Sequence, residues 1–147
     1  MLITPDEVIA LAGSDEMKAS LIKESKIIAA EYKYIKPVFG DLYPVLSEKR
    51  YRDFVDKYIK PALAYYVRYM IIPDMSVILN NGGLALINPQ YMTPATDHQR
   101  DMLQQTALSD ADALLQIAVD YVETHREEFP EYRPRRLNSK FYGGIIL

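Results

Sequence analysis

Residues 47–73 read SEKRYRDFVDKYIKPALAYYVRYMIIP and contain the strongest structural signal in the chain. Apolar side chains recur every three or four residues, a spacing that predicts an amphipathic helix. The opposite side carries acid-first pairs four residues apart, such as Asp56 with Lys60, which stabilise a helix. We expect Pro61 to kink this helix and Pro73 to end it. Its apolar face contains Tyr51, Phe54, Val55, Tyr58, Ala62, Tyr65, Tyr66 and Tyr69.

The half of this helix after Pro61 is apolar on nearly every side, with Arg68 as its single charge. A helix of this kind lies at the centre of its domain or is covered by a partner. Its tyrosines could line a pocket or stack on bases, but base stacking normally comes with a basic groove and the charges here are balanced. Packing in a core or an interface is the better interpretation, because tyrosine offers a large amphipathic surface. The interaction candidates on this helix are Tyr65, Tyr66 and Tyr69.

Two helices are predicted before the tyrosine-rich one. Thr4 and Glu7 form a capping box at the start of the first, which Gly13 stops. The second follows Ser14 and ends before Pro37, because proline biases the preceding residue away from helix. A compact turn is expected after it. The apolar face of the second helix is expected to contain Met17, Leu21, Ile28, Tyr32 and Ile35.

The last predicted helix is the longest. Thr93 and Pro94 form another capping pair, and apolar periodicity continues to Arg126. A helix of about 30 residues is ~45 Å long, which exceeds what a domain of this size needs to close its core. We therefore expect one end to project. The apolar stripe contains Leu103, Ala107, Ala111, Leu114, Ala118, Tyr121 and Val122.

Residues 77–89, VILNNGGLALINP, place two asparagines and two glycines between apolar runs. A phosphate loop would need a lysine after the second glycine, and a dinucleotide-binding fingerprint would need three spaced glycines. Neither pattern is present, whereas Asn and Gly suit the positive φ angles of a hairpin turn. We therefore predict a β-hairpin at about 77–87.

The C-terminal segment is first basic and then apolar. Four cations, the last of them Lys140, give residues 133–140 a charge of +4 inside an acidic protein. This part could contact phosphate or an acidic partner, or lie in solvent. The final FYGGIIL, residues 141–147, is expected to form an extended strand that pairs with its own hairpin or with a neighbour's. The interaction candidates in the tail are Arg133, Arg135, Arg136, Phe141, Tyr142, Ile145 and Ile146.

Together these elements predict a mainly α fold, a small helical bundle with a β-hairpin and an extended C-terminal arm. Residues 1–132 are expected to form the helical domain and residues 133–147 the arm. The 147 residues suit one globular domain, and the net charge of -3 predicts no general attraction to nucleic acid. No apolar run approaches the ~20 residues that cross a bilayer, so no membrane partner is expected.

Chemical motifs are weak throughout the sequence. The lack of cysteine excludes disulfides, thiolate metal sites and a cysteine nucleophile. His98 with Asp97 and Asp101 offers too few ligands for a metal, and aspartates near a helix N-terminus complement its dipole. We therefore predict no catalytic residues, no cofactor and no metal.

The order of elements and several short motifs carry a family resemblance. The motifs are Ile3-Thr4 with Glu7-Val8, Ala29-Ala30 with Tyr32, Gly40-Asp41-Leu42-Tyr43, and Lys60-Pro61-Ala62-Leu63-Ala64 with Tyr65-Tyr66. With them the chain resembles the small head–tail connector proteins, or head-completion adaptors, of tailed phages and prophages. The stretch from Asn81-Gly82 through the last helix to Phe129-Pro130 looks like a variant found in phages of the Bacteroides group.

The resemblance implies a non-enzymatic protein that forms a ring of identical subunits between portal and tail. Its partners would be further copies of itself, the portal protein and a tail or stopper protein, with a possible contact to packaged DNA. It would be located in the virion, or in the bacterial cytoplasm during phage assembly. Two alternatives remain open. One is a helical ligand-binding or enzymatic domain with a site between the tyrosine-rich helix and the hairpin. The other is a nucleic-acid-binding accessory protein that uses the basic tail.

Overall fold

The structure is a computed structural model that describes residues 1–13, 18–78 and 94–133. Short 3₁₀ turns cover Ala19–Leu21, Gly40–Val45, Lys49–Tyr51 and Arg126–Glu128. Two π-helical turns, Glu31–Ile35 and Val55–Ile59, join α-helical segments into continuous helices over 24–39 and 52–78. No strand is present in the described residues, and the predicted mainly α fold is confirmed. The α-helices are α1 Pro5–Ala12, α2 Glu24–Ala30, α3 Lys36–Phe39, α4 Arg52–Phe54, α5 Lys60–Ile78 and α6 Pro94–Thr124.

Helix α5 is the central helix of the domain and packs against α6, α1 and α2. No residue between 60 and 72 is fully exposed, which explains why the sequence there is apolar on nearly every side. Two cations of α5 hold α1. Arg68 Nη1 donates to the carbonyl oxygen of Ala12 at 2.7 Å, and Lys60 Nζ lies 2.7 Å from the Glu7 carboxylate.

The predicted start and end of α1 are confirmed. The Thr4 hydroxyl accepts a hydrogen bond from the Glu7 N–H, and the Glu7 carboxylate accepts one from the Thr4 N–H. These two bonds satisfy N–H groups that the first helical turn leaves without partners. At the other end, a Cβ on Gly13 would lie 2.7 Å from the backbone of Ile9. Only glycine therefore fits where the chain leaves α1.

The two π turns decide which side of each helix is buried. In an α-helix with 3.6 residues per turn, side chains four residues apart move progressively around the helix axis. A π turn has more residues per turn, so it brings such side chains back to the same side. Each π turn ends directly before the Lys-Pro of the same pentapeptide, KYIKP, which occurs at 33–37 and 57–61. The wider turn also relieves the clash of the proline ring with the carbonyl four residues earlier. Buried residues therefore recur at Ile27, Glu31, Ile35 and Phe39, and at Tyr51, Val55, Ile59, Leu63, Val67 and Ile71.

This register corrects the prediction for the second helix. Ile28 and Tyr32 were expected to face the core, but they are 47% and 55% exposed, whereas Ile27 and Glu31 are buried. Pro37 was expected to end the helix, but α3 continues to Phe39. Both errors have one physical cause, because an analysis based on 3.6 residues per turn does not anticipate a π turn. The helix was also predicted to follow Ser14, but Lys18 and Ile22 are extended, Ala19–Leu21 is a 3₁₀ turn, and α2 begins only at Glu24. Residues 14–17 lie outside the described residues.

The predicted end of the tyrosine-rich helix is also wrong. Pro73 lies inside α5, which continues to Ile78. A proline here removes one backbone hydrogen bond, but burial of Ile71 and Ile72 in the preceding turn offsets that loss. Residues 77 and 78, predicted to begin the hairpin, are therefore helical. The rest of the predicted hairpin and the predicted strand at 141–147 lie outside the described residues.

Helix α6 has 31 residues, as the periodicity predicted, and is ~46 Å long. Its stripe is buried at Ala107, Ala111, Ala118 and Val122. Leu103, predicted to belong to the same stripe, is exposed instead. No side chain between residues 97 and 106 is buried, so this end of α6 extends beyond the core, as expected from its length.

Candidate interaction surfaces

Tyr66, one of the three interaction candidates on α5, is a buried link between three helical segments. Its ring is stacked on Tyr34 with centroids 4.1 Å apart and an angle of 7° between the planes. Its hydroxyl donates a 2.5 Å hydrogen bond to Asp112 on α6. Burial, together with this carboxylate, raises the pKa of Tyr66, and burial raises the pKa of Tyr34. Because Tyr66 is only 1% exposed, it serves the core of this chain rather than a contact with a partner.

The other two candidates on α5 have a different setting. Tyr65 and Tyr69 are both half-buried, and Tyr65 packs against the hydrophobic core. The hairpin expected to form the second wall of a ligand site beside them lies outside the described residues. Tyr65 and Tyr66 therefore contribute to the packed core, and a ligand site beside α5 stays a prediction.

A cluster of aromatic rings joins α4 and the following π turn to the C-terminal end of α6. Tyr58 lies 4.5 Å from Tyr121 between ring centroids, and Tyr121 lies 4.1 Å from His125 in a stacked arrangement. Phe129 packs edge-to-face on Phe54 at 4.8 Å. Phe129 follows the last helix and is buried, a packing role that was not predicted from the sequence. A lone aromatic residue beside a proline was the only available signal.

A hydrogen-bonded clamp covers one edge of this cluster. The Tyr51 hydroxyl donates to Glu131, and Arg50 donates to both Glu131 and Glu48. Burial, reinforced by the bond to Glu131, raises the pKa of Tyr51 to about 12. The same bond and the Arg50 guanidinium lower the pKa of Glu131. The clamp holds the segment after α6 against the start of α4.

Glu31 is a buried carboxylate residue in the core, a position that was not predicted from the sequence. It is 2% exposed, and its carboxylate accepts a 2.8 Å bond from the Leu2 N–H and another from the Tyr43 hydroxyl. These partners come from the N-terminus and from the 3₁₀ turn after α3. Burial and the Glu31 carboxylate raise the pKa of Tyr43. Glu31 therefore fixes the N-terminal segment at Leu2 to the helix over 24–39.

An open groove of about 180 Å³ lies beside this N-terminal segment. The groove has two cations, Lys60 and the exposed Arg52. Lys60 is paired with Asp56 at 2.8 Å as well as with Glu7, so two carboxylates already neutralise it. The pairing of Asp56 with Lys60 was predicted. An anionic ligand would have to compete with both carboxylates for Lys60. The groove is lined by Met1, Leu2, Leu46, Ser47, Glu48, Arg52, Val55, Asp56 and Lys60.

The structure places the histidine motif on the surface. His98 and Asp97 are exposed at the N-terminal end of α6, and Asp97 is paired with Arg100 at 3.5 Å. Among the residues described, no three His, Asp or Glu side chains are grouped as a metal site would require. None of the helices in those residues is both long and apolar enough to cross a bilayer.

Arg133 is the one residue of the basic tail that lies within the described residues. Arg133 is highly exposed and lies 3.9 Å from the Asp41 carboxylate. The other candidates in the tail, Arg135, Arg136, Phe141, Tyr142, Ile145 and Ile146, lie outside the described residues. Their roles, and the boundary between domain and arm at residue 133, stay predictions.

One exposed face combines apolar and basic side chains, and we call it the basic face. It consists of Ile28, Tyr32, Lys33 and Lys36, all exposed and all on the helix over 24–39. Lys36 Nζ lies 4.4 Å from the centroid of the Tyr32 ring, a cation–π contact. Residues 18–36 contain five lysines and two glutamates, and one of those glutamates is the buried Glu31.

A second exposed face on α6 combines apolar and acidic side chains, and we call it the acidic face. Leu103, Asp110 and Ile117 are seven residues apart, which places them on one side of the helix. Met102, Leu103 and Ile117 are 57%, 51% and 52% exposed. Helix α6 has six acidic residues and one arginine. The acidic face consists of Met102, Leu103, Asp110, Ile117 and Asp120.

Comparison with known proteins places the chain in a family without assigning it an activity. No curated protein matches the chain, and no solved structure does. The model of a family of unknown function, DUF6712, matches residues 18–142. That range begins after α1 and includes both π turns, the central helix and all of α6. Because the match covers most of its length, the chain belongs to the DUF6712 family.

Proposed function

We propose that the chain is a structural subunit of a phage or prophage head–tail connector ring. In this role it joins the portal to the tail through protein–protein contacts and performs no chemistry. The proposal begins from the resemblance of its helical order and its ITPDEV, GDLY and KPALAYY motifs to head-completion adaptors. The partners are further copies of the chain, the portal protein and a tail or stopper protein.

The observation that carries the proposal is the exposed, projecting end of α6. No described side chain in residues 97–106 is buried, yet Met102 and Leu103 lie there side by side. Single exposed apolar residues are ordinary in soluble proteins. Adjacent large ones on a helix that extends beyond its own core favour a surface that another protein covers. A ring subunit needs such surfaces, because each copy contacts two neighbours.

The interior of the domain supports the same role. Its polar side chains are used in internal contacts, such as Tyr66 with Asp112, Glu31 with Tyr43, and Lys60 with Glu7. These contacts hold the helices together and leave no converging set of reactive groups in the described residues. A rigid helical body with contact surfaces suits assembly better than catalysis.

The genome and the particle together test this function. Genes for portal, major capsid and tail proteins are expected beside the gene for this chain. Deleting the gene from an inducible prophage should give heads and tails that remain separate in electron micrographs, and a plasmid copy should restore joined particles. Normal tailed particles from the deletion strain, or a genomic neighbourhood without virion genes, would contradict the proposal.

A further inference from the structure

We infer that neighbouring copies of this chain bind through two different faces, the basic face of one copy against the acidic face of the next. This inference rests on the proposed ring function and names the surfaces that would build the ring. It assigns the partner of both faces as a second copy of the chain.

Both faces are turned away from the core. Ile28 and Tyr32 are exposed, whereas Ile27, Ala30 and Ile35 of the same helix are buried. On α6, the acidic face is opposite Ala111, Ala118 and Val122, which are buried as well. Within one molecule the two faces cannot meet without unpacking these helices, whereas two molecules can bring them together.

The chemistry of the faces is complementary. Each has large apolar side chains beside charges, Ile28 and Tyr32 on one, and Leu103 and Ile117 on the other. The flanking charges have opposite sign, Lys33 and Lys36 against Asp110 and Asp120. Apolar burial would supply affinity, and the charges would select this pairing over contact between two identical faces.

The segments around the two faces are also opposite in net charge. Residues 18–36 have a net charge of +3, and residues 94–124 have a net charge of -5. Like-charged faces repel, so a symmetric dimer through either face alone is disfavoured. Contact between two unlike faces is heterologous, and a heterologous contact propagates into a closed ring or a filament.

Cysteine cross-linking tests the assignment directly, because the chain has no native cysteine. Ile28→Cys and Ile117→Cys change exposed residues at the centres of the two faces, and circular dichroism checks that each variant folds. With a short bis-maleimide, the double variant should give a ladder of dimers, trimers and larger products. A mixture of the two single variants should give only the mixed dimer.

Matched controls define specificity. Pairing Lys49→Cys with Ile117→Cys places a cysteine on an exposed 3₁₀ turn outside the basic face and should give no ladder. Lys33→Glu with Lys36→Glu should lower the cross-linked yield roughly tenfold, because attraction becomes repulsion. Asp110→Lys with Asp120→Lys in the other copy should restore it. Lys49→Glu with Lys57→Glu, at exposed lysines outside residues 18–36 and 94–124, should leave the yield unchanged.

Several outcomes would overturn the assignment. These are the absence of a 28–117 cross-link, homodimers from either single variant, or retention of DNA through Lys33 and Lys36 without any cross-link. Electron microscopy of the portal-bound protein separates this inference from the proposed function. Rings that lack the cross-link contradict the face assignment alone. A cross-linked polymer that does not bind the portal supports the assignment and contradicts the connector function.

Discussion

The hydroxyl of Tyr66 donates a 2.5 Å hydrogen bond to the carboxylate of Asp112, 46 positions further along the chain. This bond joins the central helix α5 to α6, the helix whose far end extends beyond the core. The ring of Tyr66 is stacked on Tyr34, so the same residue also contacts the π turn that follows α2. The orientation of α6, and therefore of its acidic face, depends on this contact.

Tyr66→Phe should lower the free energy of unfolding by about 1–2 kcal/mol. The stacked ring stays, but a hydrogen bond to a charged group is lost, and exposed Asp112 recovers only part of that loss from water. Tyr65→Phe, at the half-buried neighbour, is the matched control and should change stability by less than about 0.5 kcal/mol. Urea unfolding followed by circular dichroism measures both. Equal effects of the two substitutions would remove the structural role given to the Tyr66–Asp112 bond.

Glu31→Ala should cost about 2–4 kcal/mol of stability. It leaves the Leu2 N–H and the Tyr43 hydroxyl without their acceptor in a poorly solvated place, and it opens a cavity. Glu24→Ala removes an exposed glutamate from the same helix and should be nearly neutral. Amide exchange at Leu2 should also accelerate in the Glu31 variant. Unchanged protection of Leu2 would mean that Glu31 does not hold the N-terminus.

Stability should fall at high pH, in part through Tyr51. Its pKa is raised from 10.0 to about 12 in the folded chain, mainly by burial and then by the bond to Glu131. The folded state therefore holds this proton more tightly than the unfolded state does. The stabilising contribution is fully present below pH 10.0 and is lost as the pH rises from there towards about 12.

Tyr51→Phe should flatten the decline of unfolding free energy over this pH range, as urea unfolding at several pH values would measure. Tyr32→Phe, which removes an exposed tyrosine, is the control for the loss of one phenol. Identical slopes in the two variants would contradict the coupling between folding and the Tyr51 proton.

Removing residues 141–147 should weaken self-association or docking to the portal while leaving the helix content intact. The expectation follows from the apolar FYGGIIL sequence, which favours a contact with a sheet edge or a neighbour. The triple substitution Phe141→Ser, Ile145→Ser and Ile146→Ser keeps the full length of the chain. It therefore shows whether the apolar side chains, rather than the length of the segment, are needed for the contact. Sedimentation and circular dichroism measure the two properties. Unfolding of the truncated chain would mean that these residues belong to its own core, and it would contradict the prediction of a C-terminal arm.

The sequence predicted correctly those helix features that depend on neighbouring residues. The capping box of Thr4 and Glu7 and the long apolar periodicity of α6 depend on residues within one or a few turns. The burial of Glu31 and the exposure of Ile28 could not be predicted in this way. They depend on π turns, which an analysis at 3.6 residues per turn does not represent. The four-residue spacing from Ile27 to Phe39 was the available clue.

Contacts between distant residues were beyond the reach of sequence patterns. Tyr65 and Tyr66 pack in the core, as their interpretation as packing residues expected, but nothing near Tyr66 identifies Asp112 as its partner. Pro73 was misread because the burial of Ile71 and Ile72, a tertiary effect, outweighs the local preference of proline. Among the interaction candidates, Tyr66 proved to be internal, whereas the exposed Ile28, Leu103 and Ile117 emerged only from the structure.

The most direct test of the connector function is electron microscopy of the chain co-expressed with the portal protein of the same phage or prophage. We predict a closed ring of this chain stacked coaxially on the portal, with each copy touching its neighbours through two different faces. A chain that stays unbound in the presence of assembled portals, and adds no ring density to them, would refute the connector function.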